Sequence, residues 1–195
     1  MTLQQVLQMA LARVGLSSTN SDFTTQARLY ANITKDEISG RATWWWLEKT
    51  GTLTTVADQR LYELASNALY HKSWTDESND DIIVMIGTQT RDRNDPDYSE
   101  TGTTWAATVE GIDDTTGNVE VGLYPIPSDS GDTIKYRYYA YVEDWDSGDD
   151  STDLKKWIPP LLQTALVYGI ARLYKEEKGD DQGAITEATE FERVI

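Results

Sequence analysis

Carboxylates are the residues of this chain that could do chemistry. The sequence holds 33 Asp and Glu residues against 17 Lys and Arg. The most compact group is Asp144, Asp146, Asp149 and Asp150, whose oxygens have a spacing that suits hard cations such as Ca²⁺. The group lacks the third ligand before the glycine and the distal Glu of the EF-hand pattern. We therefore predict no metal site here, and we interpret the similar group in residues 92–97 as turn chemistry.

Acidic residues together with seven tryptophans also allow two carbohydrate functions. A glycoside hydrolase would use a pair of carboxylates as acid and base, and a carbohydrate-binding module would stack sugar rings on tryptophan faces. Both alternatives stay open at this point. In a chain with this many acids, however, such pairs also arise by chance, so the composition favours a binding or structural role over an enzyme.

Other catalytic templates are excluded by composition. There is no cysteine, which rules out thiolate metal sites and cysteine nucleophiles. The single histidine, His71, has no nucleophile motif near it, and there is no phosphate-cradling glycine-rich loop. We predict no catalytic residue, no cofactor and no resident metal. The sequence also contains no apolar run long enough for a membrane span, so we expect no membrane partner.

The negative charge is concentrated in the middle of the chain. Residues 1–75 carry seven basic and six acidic residues, residues 76–153 carry four and twenty, and residues 154–195 carry six and seven. The middle segment therefore accounts for the formal net charge of −16. Because DNA affinity comes largely from Lys and Arg, such a chain should not grip DNA. A plain interpretation is a solvated surface, and a sharper one is a surface that faces a polyanion without binding it.

Helical patterns occupy the two ends of the chain. Apolar residues at three- and four-residue steps predict a helix over residues 3–14, closed by Gly15, and a second helix over residues 23–48. Pro159 and Pro160 suit the first turn of a third helix. Its apolar face is too wide for one-sided packing, which places it in the middle of a bundle. An amphipathic segment over residues 181–195 follows.

Three consecutive tryptophans end the second predicted helix. Since helical residues are about 100° apart, Trp44, Trp45 and Trp46 cannot all face one partner. They either wedge between the helix and the following sheet or anchor a subunit interface, where tryptophan is enriched. We select Trp44 and Trp46 as the subunit-interface candidates.

The middle of the chain has the two-residue period of strands. Residues 52–56 and 61–64 read as a hairpin, residues 82–86 as a strand and residues 92–102 as a loop. Three further strands, over residues 104–112, 119–124 and 133–142, are predicted to be antiparallel. In the last of them, Ile134, Tyr136 and Tyr138 share one face.

These elements predict an α+β fold. Helices at both chain ends form one discontinuous bundle, residues 1–50 with 154–195, because neither end could bury its apolar faces alone. Residues 51–153 form an inserted antiparallel β-sheet region that is strongly acidic from residue 76.

The ordered motifs resemble a known family, the head-to-tail adaptor proteins of short-tailed bacteriophages. The resemblance rests on Trp44–Val56 with Gln59–Leu64, on Val121–Pro127 followed by a tyrosine-rich strand, and on Trp157–Pro160 with the helix after it. The chain departs from the family in residues 66–81, which we treat as a loop, and in placing its prolines after Trp157.

The resemblance implies a structural protein of the virion, located at the head-tail junction after assembly in the host cytoplasm. About a dozen copies would form a ring with closed symmetry beneath the portal protein. The ring would contact the tail or nozzle protein and surround the channel through which DNA passes without specific binding.

Two sets of residues receive roles from this implied function. We expect Asp144, Asp146, Asp149 and Asp150, with carboxylates between residues 76 and 97, to line the channel and repel phosphates. We expect the C-terminal segment to contact the portal, since an amphipathic helix can lie in a groove between subunits. Its apolar positions are Ile185, Ala188, Phe191 and Ile195.

Overall fold

The computed structural model describes residues 1–155 and 158–195 in full, and only the backbone of Lys156. Trp157, one of the resemblance residues, lies outside the described residues. The chain divides into two compact units. Met1–Trp46 with Val142–Ile195 form the helical unit, and Leu47–Tyr141 form the sheet unit. The predicted α+β class is confirmed.

The helical unit contains four long helices. They are α1 (Leu3–Arg13), α2 (Ser21–Gly40), α4 (Pro160–Glu177) and α5 (Asp181–Val194). Thr2 and Gln5 form a capping box at the start of α1, and Gly15 adopts a φ of +72° just after its end. Pro160 stands in the first turn of α4, as the sequence predicts.

Helix α4 contacts α1, α2 and α5. Its Gly169 faces α2 so closely that a β-carbon there would overlap the Thr34 side chain. The first residues of the chain bond to the segment before α4: the Leu3 and Gln4 amides donate to Thr152 and Asp150 carbonyls. The fully buried apolar residues of this unit include Leu3, Val6, Leu11, Ile38, Leu154, Leu166, Ile170 and Phe191. The wide apolar face of α4 is thus covered from three sides.

Helix α2 ends earlier than the sequence predicts, at Gly40 instead of residue 48. The Trp44 indole Nε1 donates to the Ile38 carbonyl at 2.8 Å, satisfying a carbonyl that a longer helix would have used. Residues Trp45–Leu47 form a single 3₁₀ turn. The three tryptophans are therefore not arranged on an α-helix.

The sheet unit, Leu47–Tyr141, contains nine strands and one short helix, α3 (Thr88–Asn94). The strands are β1 (Glu48–Thr54), β2 (Leu61–Glu63), β3 (Ala68–Asp76), β4 (Asp81–Met85), β5 (Thr101–Gly102), β6 (Ala106–Ile112), β7 (Val119–Tyr124), β8 (Ile126–Pro127) and β9 (Thr133–Ala140). Seven of them form one sheet in the order β1-β9-β3-β4-β6-β7-β2, and β5 pairs with β8.

The pairing differs from the prediction in three ways. Strands β1 and β2 do not form a hairpin, because β1 pairs with β9 and β2 with β7. Strand β3 occupies the stretch predicted as a loop. The pair β4 and β6 is parallel, as is β5 with β8, so the sheet is not wholly antiparallel. Parallel neighbours need a crossover connection, and α3 lies in the segment that connects β4 to β6.

Alternation along the strands builds the core of this unit. Ile134, Tyr136 and Tyr138 are buried, as the period of two predicts. Tyr136 stacks on the fully buried Trp74 at 5.0 Å between ring centroids, and a β-carbon on Gly51 would overlap the Tyr136 ring. Other members of the core are Leu53, Tyr62, Leu64, Ile83, Ala107, Val121, Leu123 and Ala140.

No helix in the described part of the chain combines the length and the apolar character that crossing a membrane requires.

Candidate interaction surfaces

The four aspartates predicted to line a channel lie in the helical unit, in the segment before α4. Two of them hold that segment to α2. The Arg28 guanidinium contacts both oxygens of Asp150 at 2.8 and 2.9 Å, and the Lys35 ammonium donates to Asp144 at 2.7 Å and to the Val142 carbonyl at 2.6 Å. Only 1% of Lys35 is exposed. The charge of Asp150 is therefore largely balanced within the fold, and that of Asp144 in part, because Lys35 also pairs with Asp36 at 3.0 Å.

The other two aspartates, Asp146 and Asp149, form a reciprocal cap around one 3₁₀ turn. Asp146 accepts the Gly148 amide at 2.6 Å, and Asp149 accepts the Asp146 amide at 3.0 Å. Asp146 is exposed and Asp149 is half-buried. This arrangement is ordinary turn chemistry. Among the described residues, no group of three or more potential metal ligands is placed to hold an ion.

A different group of acids lies at one end of the sheet unit. The β3–β4 turn and the β8–β9 connection meet there: the Glu77 amide donates to the Thr133 carbonyl at 2.9 Å, and Thr133 donates to Ser78 Oγ at 2.9 Å. The two connections carry six carboxylates, which we call the acidic tip: Asp76, Glu77, Asp80, Asp81, Asp129 and Asp132.

Two of the tip acids support the fold, three are exposed to solvent, and Asp132 is half-buried and accepts a hydrogen bond from Asn79. Asp76 is buried and accepts the Ser78 and Asn79 amides, and Glu77 pairs with Lys135. In the part of the chain that the structure describes, Asp80, Asp81, Asp129 and Asp132 form no ion pair. The tip lies at the end of β1 and β9 opposite residues 48 and 140, where the chain enters and leaves the unit.

Two of the acids in residues 92–97, Asp92 and Asp95, are also used internally. Arg91, only 5% exposed, pairs with Glu110 and Asp92, and the Tyr98 ring lies between the Arg91 and Arg60 guanidinium groups. Hydrogen bonds from Arg91 and Tyr98 hold the pKa of Asp92 below its ordinary value. These contacts fasten α3 to β6, in place of the plain loop that the sequence predicts.

The predicted portal-contact residues of α5 have different exposures. Phe191 is fully buried, Ala188 and Ile195 are half-buried, and 61% of Ile185 is exposed. The helix is also held by charge, because Glu187 pairs with Arg13 at 3.0 Å and Lys175 at 2.8 Å. Burial raises the pKa of the Glu187 carboxyl, but hydrogen bonds from Arg13 and Lys175 outweigh it and keep the pKa below its ordinary value.

The tryptophans selected as a subunit interface are half-buried. Trp44 and Trp46 stack with ring centroids 6.5 Å apart. Trp45, which is not one of the two predicted interface residues, has 77% of its surface exposed. The prediction placed the three tryptophans about 100° apart on one continuous helix. Because α2 ends at Gly40, before these residues, that spacing could not show which of the three rings is exposed.

Both units lie within one family match. A family model described as SU10 adaptor protein matches residues 1–195. A search of curated proteins found no match.

Proposed function

Because this chain belongs to the SU10 adaptor protein family and is thus a phage head-to-tail adaptor, we propose that its copies form a ring beneath the portal protein of a short-tailed phage. The match over the whole chain is the observation that carries this proposal. The ring would hold about a dozen copies with closed symmetry, join capsid to tail or nozzle protein, and surround the channel through which DNA leaves. We propose a structural role without catalysis.

Within that ring we assign the DNA-facing role to the acidic tip. Asp80, Asp81, Asp129 and Asp132 have no ion pair among the described residues, so their charge is available outside the fold. The repulsion is screened over about 8 Å at physiological ionic strength, so it acts only where the tip approaches the phosphates closely. Asp146 and Asp149 remain secondary candidates. Asp144 and Asp150 contribute less, because their cationic partners Lys35 and Arg28 balance them.

The helical unit is the proposed portal-facing part. The predicted organisation is a bundle of residues 1–50 with 154–195 and an inserted region of residues 51–153. We add the proposal that the bundle, which carries the predicted contact segment over residues 181–195, faces the portal and that the inserted region faces the channel. On α5, Ile185 is the member of the predicted set with a side chain open to a partner. On the same unit, the exposed Trp45, beside Trp44 and Trp46, is the proposed contact with a neighbouring copy.

Assembly is tested with the purified chain and its portal protein. Native mass spectrometry should find a monomer alone and a ring on the portal. Ile185→Asp should weaken the affinity for the portal at least 10-fold without changing the melting temperature. Val56→Asp, at an exposed site on the sheet unit, should leave the affinity for the portal unchanged. Equal affinity of both variants would contradict the portal assignment, and a portal that recruits no chain would contradict the adaptor function.

The DNA-facing role is tested by charge removal in particles. The triple variant Asp80→Asn, Asp81→Asn, Asp129→Asn should leave assembly intact and slow DNA ejection. The matched triple, Asp22→Asn, Glu63→Gln and Glu143→Gln, removes the same charge from exposed sites outside the tip and outside the predicted channel residues. Equal ejection rates for the two triples would remove the special role of the tip.

A further inference from the structure

An apolar groove opens at the end of the sheet unit opposite the acidic tip. Its volume is about 370 Å³, and it is lined by the first residues of β3 and the last residues of β6. Leu69, Tyr70 and Ile112 on its walls have 49%, 60% and 68% of their surfaces exposed. Exposed apolar clusters of this kind mark interaction sites more often than scattered single residues do.

The groove exists because β4 is shorter than its two neighbours. β3 pairs with β4 only from Trp74 to Asp76, and β6 pairs with it only at Ala106 and Ala107. In the described part of the chain, no strand pairs with that side of residues 68–73 or of residues 108–112. Two strand edges therefore flank an opening on the line that β4 would have followed.

The opening has the length and the backbone bonding groups that a short added strand needs. The five residues 108–112 of β6 pair with β7 on one side only, and they span about 17 Å at the rise of a strand. Unpaired strand edges are templates for another chain, and proteins usually blunt them with charge, proline or a cover. β3 and β6 carry bulges in their pairings with β9 and β7. They also carry Lys72 and Glu110, which form ion pairs elsewhere and are not among the residues that line the groove. Leu69, Tyr70 and Ile112 make the groove side of these strands apolar.

We propose that this groove, which we call the strand slot, receives an extended uncharged segment of a neighbouring virion protein as an added strand. The partner's backbone would bond to residues 68–73 and 108–112, and its alternate apolar side chains would fill the groove, as in β-augmentation. The expectation that the partner is a virion protein rests on the proposed adaptor function. The shape and bonding groups of the slot do not depend on that function.

Charge on the walls specifies the occupant further. Among the described residues, no Asp, Glu, Lys or Arg lines the groove. Partial burial lowers the pKa of His71, which favours its neutral form. Asp113 and Asp114 lie just beyond Ile112 and form no ion pair among the described residues. A segment with a basic residue next to an apolar stretch would match both features.

A second copy of this chain fits the slot less well. Its strands are already paired in its own sheets. The extended segment over residues 141–146 contains three acids, buries Val142 and Trp145, and would meet Asp113 and Asp114 with the wrong sign. These observations favour a different protein as the partner.

The test uses the absence of cysteine from the chain. Ile112→Cys places a thiol in the slot, and Ile82→Cys places one on β4 with a similar exposure of 75%. In the free protein both thiols should react with maleimide at similar rates. In purified particles the Ile112→Cys thiol should react at least 10-fold more slowly than in the free protein. The reaction of the Ile82→Cys thiol should slow by a smaller factor.

A photo-crosslinker on the Ile112→Cys thiol then identifies the occupant. A crosslink to an extended segment of another virion protein supports the inference, whereas a crosslink to a second copy, or equal labelling in free and assembled forms, overturns it. If the chain is missing from particles altogether, the adaptor function fails instead. The two failures are thus distinguishable.

Backbone pairing is checked with the crosslinked segment made as a synthetic peptide. The peptide should slow hydrogen exchange of residues 68–73 and 108–112 in the full chain. The same peptide methylated on alternate backbone nitrogens should lose that protection. Equal protection by both peptides would show side-chain docking without strand addition, and would contradict the proposal.

Discussion

The helical and sheet units use their carboxylates differently. The helical unit has ten basic and sixteen acidic residues, and the sheet unit has seven and seventeen. In the helical unit, acids such as Glu37, Glu187 and Asp150 pair with arginines and lysines of neighbouring elements. At the acidic tip of the sheet unit, Asp80 and Asp81 have no such partner among the described residues.

This contrast separates charge that stabilises the fold from charge that is free for function. A carboxylate paired across elements lowers the free energy of the folded state, so its removal should be felt in stability. An exposed carboxylate without a cation contributes little to stability, and adds repulsion to its neighbours. The acidic tip therefore adds little to the stability of the sheet unit, which is held by its aromatic core and by ion pairs such as Arg91 with Glu110.

Removing part of that core has the largest expected effect. Trp74→Ala should lower the free energy of unfolding by about 3 to 5 kcal/mol, because it deletes a buried ring and leaves a cavity. Trp45→Ala, at an exposed ring, should change it by less than about 0.5 kcal/mol. Urea unfolding measures both. Similar losses would show that the buried ring is not the anchor of the sheet unit.

Helix packing is tested at the closest approach of α4 to α2. Gly169→Ala should destabilise by about 1 to 3 kcal/mol, since its methyl group would overlap Thr34. Gly40→Ala adds the same methyl group to open space in α2 and should be neutral or stabilising by up to about 1 kcal/mol. Thermal unfolding compares them, and a neutral Gly169→Ala would contradict close packing of these helices.

The paired charge of the helical unit should appear in the pH dependence. Glu187→Gln should cost about 1 to 2 kcal/mol at pH 7, with part of the pairing screened because Arg13 is partly exposed. The folded-state pKa of Glu187 is lowered, so its stabilisation is present above the ordinary carboxyl pKa and is lost as pH falls through the folded value.

Melting temperatures between pH 7 and pH 3 check that sign. The difference between the wild-type chain and Glu187→Gln should shrink as the pH falls below about 4.3, the ordinary Glu value. Glu143→Gln, at an exposed carboxylate of the same unit, should show little difference at any pH. If the difference in melting temperature between wild type and Glu187→Gln grew on acidification, the folded-state pKa of Glu187 would not be lowered as we infer.

The acidic tip should give the smallest effect on stability. The triple Asp80→Asn, Asp81→Asn, Asp129→Asn variant should change the free energy of unfolding by less than about 1 kcal/mol in total, because surface substitutions are usually worth within about 0.5 kcal/mol each. Chemical unfolding at low and high salt measures it. A loss larger than that of Glu187→Gln would place the tip among the structural charges and break the comparison.

Local patterns predicted much of the secondary structure. Period and proline signals located α1, α4 and α5, and strand patterns located β6, β7 and β9, with the buried face predicted correctly in β9. These features depend on neighbours within a few residues. Prediction failed where a local pattern was ambiguous. The first half of β3 pairs with β9 on one side only and carries polar residues on both faces, so its sequence reads as a loop.

The sequence by itself determined the α+β class, the absence of cysteine chemistry and the acidic middle of the chain. Only the tertiary structure decided that β1 and β2 pair with β9 and β7 instead of each other, and that α2 stops where the Trp44 indole takes the Ile38 carbonyl. It also decided which acids have cations beside them. Strand pairing and charge compensation join residues far apart in the chain, such as Arg28 with Asp150, and no spacing along the sequence records those distances.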